Sequence, residues 1–332
     1  MAGLIDAVVE AWAKLVDALG GNGARVRWRW RQRRSAAAPR EDGGAAAGAR
    51  HRMCPSCRAL VPRSARTCTE CGTSFRSAAA VRSGGRLGGL LPSLGSATSL
   101  ILLANGLWFA LSLVVLARSG AGGLGSVLMF PGEFNETMVR FGALWMPWVL
   151  ALGQWWRLIT AVFLHGGLIH FFFNTYVFVQ LAPLVEEEYD TARMWIVYIV
   201  SGALGFATTC AWQLLRGRPA PSLGASGAIL GLMGVLLAYG MRRGGGVGAR
   251  VRSLMTQYIL YIFLVGLLFR GIDHAAHLGG VLSGFALGWA IPYGPLRSAH
   301  ARRAWEALAW ALLAVVVVAF LLAGRSYAAG GA

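Results

Sequence analysis

Beyond residue 96 the hydrophobic positions run in blocks of about 18 to 22 residues, each long enough to cross roughly 30 Å of hydrocarbon as a helix. Seven spans are predicted, at 97–117, 167–185, 194–214, 224–241, 253–270, 272–291 and 304–324. The segment between the first two, 118–166, holds Trp145, Trp148, Trp155 and Trp156. Such amphipathic rings favour the membrane–water boundary, so this segment is expected in the interface. The first 96 residues follow another pattern. Leu4 to Leu19 carries Asp6, Glu10, Lys14 and Asp17 at helical spacing, which predicts a short amphipathic helix and not the apolar core of a signal peptide. A Gly/Ala/Arg-rich linker follows to about residue 50, and a second linker, Ser77 to Ser96, leads to the first span.

Composition agrees with this division. Of 332 residues, 56% are hydrophobic and 14% charged, against about 25% charged in soluble domains. That excludes a disordered chain and argues against a single soluble domain. The net charge is +17, from 31 basic and 14 acidic residues, and residues 1–97 hold 16 of the basic and 6 of the acidic ones. Basic flanks stay on the cytoplasmic side during insertion. The expected protein is therefore a multi-pass integral membrane protein, of the bacterial inner-membrane kind, with a cytoplasmic N-terminus. The even-numbered spans then begin at the outer face. Arg25–Arg34 interleaves arginine with Trp28 and Trp30. Arginines on phosphates and tryptophans on bases would suit nucleic acid, but beside a membrane domain this segment reads as a patch resting on anionic lipid headgroups, and no nucleic-acid partner is expected.

Four of the five cysteines form two C-x-x-C pairs, Cys54 with Cys57 and Cys68 with Cys71. On the cytoplasmic side disulfides are disfavoured. The spacing therefore reads as a zinc ribbon over 49–76, with a closed structural Zn2+ site and no catalytic position. It would serve to dock a cytoplasmic partner or to regulate access. Cys210 stands alone in an apolar block and is assigned to packing. The expected organisation is a helix and basic linker at 1–48, the ribbon at 49–76, a linker at 77–96 and the membrane domain at 97–325.

Polar side chains inside apolar spans are costly and mark function by default. They gather in three places: FLHGGLIHFFFN, with His165, His170 and Asn174; SLGASGAILG, with Ser226; and GIDHAAHLGG, with Asp273, His274 and His277. All three open an even-numbered span, so all lie below the same membrane face, at about 8 Å depth by helical rise. Small residues beside them let the fourth and sixth spans approach closely. A histidine within reach activates a serine by taking its proton. The His170 and Asn174 side chains, with the Ser226 backbone N–H, could stabilise an oxyanion. Asp273 is expected to cap the sixth helix or to face water. Of the two histidines opening that helix, His277 shares a face with Gly280 and Gly284 and is the one expected to point at Ser226.

The chain from about Leu100 to Ala323 resembles the rhomboid intramembrane serine proteases. The resemblance rests on Trp156-Arg157, His165-Gly166-Gly167 with His170-x-x-x-Asn174, Gly224-x-Ser226-Gly227 and Ala276-His277-x-Gly279-Gly280. It implies Ser226 as nucleophile, His277 as general base, and His170 and Asn174 as oxyanion donors, with no catalytic cofactor. It also implies an all-α fold of six core helices, here with a seventh at the C-terminus. The substrates implied are other membrane proteins, cut near the outer face in helix-weakened transmembrane segments. Two positions depart from the family pattern. Leu230 stands four residues after the serine, where an aromatic ring often packs on the catalytic histidine, and His274 stands where asparagine is often found. The alternative is a non-catalytic membrane scaffold or transporter with the ribbon as a docking module.

Overall fold

A computed structural model of the chain describes residues 10, 51–53, 60–62, 65, 95–118, 136–269, 271–296 and 298–329. Contacts divide the chain into two units, Met1–Arg52 and Met53–Ala332. Two short strands, β1 (His51–Met53) and β2 (Leu60–Pro62), make up a two-stranded sheet. The four cysteines of the expected ribbon, the expected N-terminal helix apart from the helical Glu10, and both expected linkers apart from Gly95 and Ser96 lie outside the described residues.

From residue 97 onward the described chain is helical. Its long elements are α1 (Ala97–Arg118), α5 (Leu168–Arg216), α6 (Ser226–Arg243), α7 (Gly245–Leu268), α8 (His274–Ala290) and α9 (Ala299–Ala328). Three short helices precede α5: α2 (Glu136–Phe141), α3 (Met146–Ala151) and α4 (Arg157–Thr160), followed by a 3-10 turn at Ala161–Phe163. The seven predicted spans thus fall on six helices. Among the described residues four helices are long and apolar enough to cross a membrane: α1, α5, α7 and α9.

The difference in number has two causes. The second and third predicted spans are joined in α5, whose 49 residues are interrupted at Asp190 (φ 62°, ψ 171°). The Asp190 carboxylate accepts from Arg193 N at 3.0 Å and pairs with the buried Arg193 guanidinium at 2.9 Å. Arg193 in turn donates to the carbonyls of Pro292 and Gly294. The break is therefore a pinned joint between two arms, 168–189 and 191–216. The other cause is that α6 and α8, at 18 and 17 residues, reach only about 27 and 26 Å and are diluted by glycine.

Those two short helices form the centre. Almost every residue of α6 from Gly227 to Gly240 is buried, whereas α8 buries one face, Ala276, His277, Gly279, Gly280, Gly284 and Gly288. Their backbones touch at two places. A Cβ on Gly280 would collide with the carbonyl of Gly227, and one on Gly284 with that of Gly231. Absence of side chains allows such an approach, as in close helix packing within lipid. The arms of α5 pack on both helices, and α7 packs on α6. Helix α7 starts at Gly245, not at residue 253, because the helix continues through Arg250 and Arg252, where apolar periodicity stops.

Candidate active site

Ser226 is the first residue of α6, so its backbone N–H is one of the four that have no acceptor within the helix. The loop before it is fastened to the interfacial segment. Leu144 and Ser222 exchange both backbone hydrogen bonds, at 2.8 and 3.0 Å, and Gly224 N donates to Ala161 O at 2.9 Å. Gly224 has φ +132°, and a Cβ there would stand 2.8 Å from His170 Cε1. Only glycine both adopts that backbone and leaves room for the imidazole.

The segment that carries Leu144 and Ala161 is itself held by Arg157. This side chain is fully buried and donates to Gln154 Oε1 at 2.6 Å, to Ala143 O at 2.7 Å and to Val139 O. Its guanidinium also lies 4.6 Å from the centre of the Trp148 ring. Burial lowers its pKa to about 10, which leaves it charged at neutral pH. Trp148, one of the four tryptophans expected at the interface, thus lies against the arginine that braces the serine loop.

His277 lies in the first turn of α8, and its Nε2 is 2.8 Å from Ser226 Oγ. The other nitrogen, Nδ1, is buried and makes no hydrogen bond. The carboxylate nearest in sequence, Asp273, serves another purpose. It caps α8 by accepting from Ala276 N at 2.9 Å. Its second oxygen accepts from Thr209 Oγ1 and Ser222 Oγ, both at 2.7 Å. One carboxylate thus ties α5, the loop leading to Ser226 and the start of α8. Thr209 and Ser222 were not singled out from sequence, since a hydroxyl in or beside an apolar helix carries no pattern that separates this role from back-bonding.

His170 and Asn174 stand one turn apart at the start of α5. His170 Nδ1 accepts from Gly166 N at 3.3 Å, which assigns its proton to Nε2, the nitrogen 2.9 Å from where a Gly224 Cβ would be. Asn174 is buried and spends one amide N–H on His170 O at 3.1 Å, leaving the second to donate. His165 is buried beside them, its ring 5.3 Å from that of His170 and 5.2 Å from Phe171, and it forms no hydrogen bond in ordinary geometry. His274 points elsewhere. Its ring stacks on Phe263 of α7, at 6.0 Å and 26°. Leu230 is buried in α6, and the aromatic ring beside His277 comes instead from Phe263, at 6.1 Å and 87°. Among the described residues no group of three or more His, Cys, Asp or Glu could hold a metal ion.

The fold and site define a helical membrane protein in which a half-buried serine meets a buried histidine. Comparison with known proteins agrees. The Rhomboid domain family matches residues 152–294. The chain is 33% identical over 193 residues to Rhomboid protease GluP of Bacillus subtilis (strain 168), covering 57% of this chain and 36% of that protein. It is 32% identical over 163 residues to RHOMBOID-like protein 6, mitochondrial, of Arabidopsis thaliana, covering 49% and 52%. With Putative rhomboid protease YdcA of Bacillus subtilis (strain 168) it shares 35% over 138 residues, covering 42% of this chain and 68% of that protein. This chain belongs to the rhomboid family. It spans about a third to a half of the length of the first two relatives.

Proposed function

We propose that this chain is an intramembrane serine endopeptidase acting through Ser226 and His277. The observation that carries the reading is the 2.8 Å contact between Ser226 Oγ and His277 Nε2 inside a helical membrane domain. Ser226 Oγ attacks the scissile carbonyl carbon while His277 Nε2 takes its proton. The oxyanion forms beside the Ser226 N–H, with His170 Nε2–H and the free amide N–H of Asn174 as further donors. When the intermediate collapses, the C–N bond breaks and His277 returns the proton to the leaving amine. Water then attacks the acyl-serine, again with His277 as base, and releases the second product and Ser226. No carboxylate contacts His277 Nδ1, so the unit is a dyad, and Asp273 acts on position.

The substrates are membrane proteins. A peptide bond in an intact helix is shielded by its own hydrogen-bonded turn, so cleavable segments carry Gly or Pro near the outer end of their spans. The seven-span reading counts the α5 arms separately and includes α6 and α8. The membrane is a bacterial inner membrane, and the basic residues before the first span support a cytoplasmic N-terminus. On that side Cys54, Cys57, Cys68 and Cys71 form a structural zinc ribbon that docks a partner.

The test is cleavage of a transmembrane test substrate by the purified chain. Ser226→Ala and His277→Ala should each lower turnover by about four to six orders of magnitude, since the two act as one unit. His274→Ala should cost at most about tenfold, through positioning. Retained cleavage by Ser226→Ala would overturn the reading, and no cleavage by the wild type would favour a scaffold. Products cut at the cytoplasmic end would overturn the topology.

A further inference from the structure

We propose that Phe263 of α7 is a positioning residue for the general base, so that the orientation of His277 depends on the docking of α7. The proposal rests on the dyad reading. The His277 ring has one hydrogen bond, to Ser226, while its Nδ1 is buried and unpartnered. Nothing polar on that side fixes its rotation. Packing must do so, and the ring that meets it is Phe263, edge to face at 6.1 Å and 87°. This lies within the range of favourable aromatic pairs. Phe263 is itself held from α8, where His274 stacks on it at 6.0 Å and 26°. The two histidines of α8 thus grip one ring of α7, and His274 and His277 are 6.3 Å apart at 82°.

The rest of α7 makes this grip consequential. Its buried residues are Gly248, Met255 and Gly266 alone. Near its start the helix is pressed against α6, since a Cβ on Gly240 would stand 2.8 Å from Arg252 N and one on Gly248 would collide with Gly240 O. At the other end, contact with the turn leading into α8 comes through Phe263 and Gly266. A Cβ on Gly266 would stand 2.7 Å from His274 Cε1 and 3.5 Å from Ile272. Leucines 260, 264, 267 and 268 face outward. Helix α7 is therefore anchored at one end by backbone contact and at the other by Phe263 on the dyad. Leu230 occupies the position on α6 from which a ring could have served the histidine, and Phe263 supplies one from the neighbouring helix α7.

The experiment measures labelling of Ser226 by a fluorophosphonate in the purified full chain, with Ser226→Ala as blank. Phe263→Leu keeps an apolar side chain against α8 but removes the ring. It should lower the labelling rate by about two- to tenfold, the worth of one aromatic pair. Phe263→Tyr, which restores the ring, should label within about twofold of wild type. Both variants should elute as the folded wild type does. His274→Ala should give a loss no larger than Phe263→Leu, since it acts through the same ring. Phe263→Leu labelling at the wild-type rate would overturn the proposal, as would Phe263→Tyr falling as far as Phe263→Leu. Failure of the wild type itself to label would overturn the dyad reading instead.

Discussion

Asp273 is the position where a single change should disturb both halves of the site without touching either reacting group. Its carboxylate caps α8 through Ala276 N and receives the hydroxyls of Thr209 and Ser222. Replacing it by alanine removes a helix cap, worth about 1 kcal/mol, and two hydrogen bonds to a charged acceptor. Such bonds contribute about 1.5 kcal/mol each at the lower end of their range, which suits a half-buried group. After allowance for that partial exposure the total is about 3 kcal/mol. Thermal unfolding of the purified chain in detergent should then fall by about 6–12 °C. The catalytic effect follows from position in the chain. Ser222 lies one short turn before Ser226, and Ala276 directly precedes His277. Releasing both lets Ser226 Oγ and His277 Nε2 separate, and a displacement of about 1 Å costs on the order of 10²-fold in turnover. Asp273→Asn keeps the capping oxygen and offers an N–H to hydroxyls that can rotate to accept it. It should lose about 1 kcal/mol and less than about tenfold in kcat. Wild-type melting and kcat in Asp273→Ala would refute the bracing role. Asp273→Asn as damaging as Asp273→Ala would show that the negative charge itself supports His277, which would make the unit more than a dyad.

Three further outcomes are expected. Gly284→Val should prevent the approach of α8 to α6, because its first side-chain atom would already collide with Gly231 O. Size-exclusion chromatography should show aggregated protein, whereas Gly106→Ala in α1, where nothing lies within 4 Å of the new atom, should elute normally. Arg157→Met leaves the Val139 and Ala143 carbonyls without their donor and should cost about 3 kcal/mol by thermal melting. Arg157→Lys should not rescue it, since one ammonium cannot serve both carbonyls and Gln154 while lying on Trp148. Cys54→Ser should lose zinc by metal analysis and unfold residues 49–76, because structural metal supplies most of the folding energy of so small a unit. Cleavage of a transmembrane test substrate in detergent should persist, and its loss with an intact membrane domain would make the ribbon part of the enzyme.

Much of the membrane domain was legible in the chain because lipid imposes a simple rule. Backbone polar groups must be satisfied within the segment, so apolar length reads directly as helix. The same cost makes each intramembrane polar residue conspicuous, and Ser226, His277, His170 and Asn174 stood out for that reason. Helical periodicity also separated His277, on the glycine face of α8, from His274, and the structure puts the first against Ser226 and the second against Phe263. The gap between the second and third predicted spans, 186–193, brackets the break at Asp190, but periodicity could not reveal what holds it. The turn at Asp190 depends on its pairing with Arg193 and on carbonyls about a hundred residues away. Nor could it show that Asp273, read as a cap, would also gather hydroxyls from two other elements. The ring beside His277 is the clearest case. Sequence spacing sees neighbours on one helix, and by that measure Leu230 left the histidine without an aromatic partner. Only the packing of α7 on α6, set by backbone contact at Gly240 and Gly248, brings Phe263 to it. Local rules decide which segments become helices and which residues are too polar to be idle. Contacts between residues distant in sequence depend on how whole helices seat against one another, and only the tertiary structure decides that.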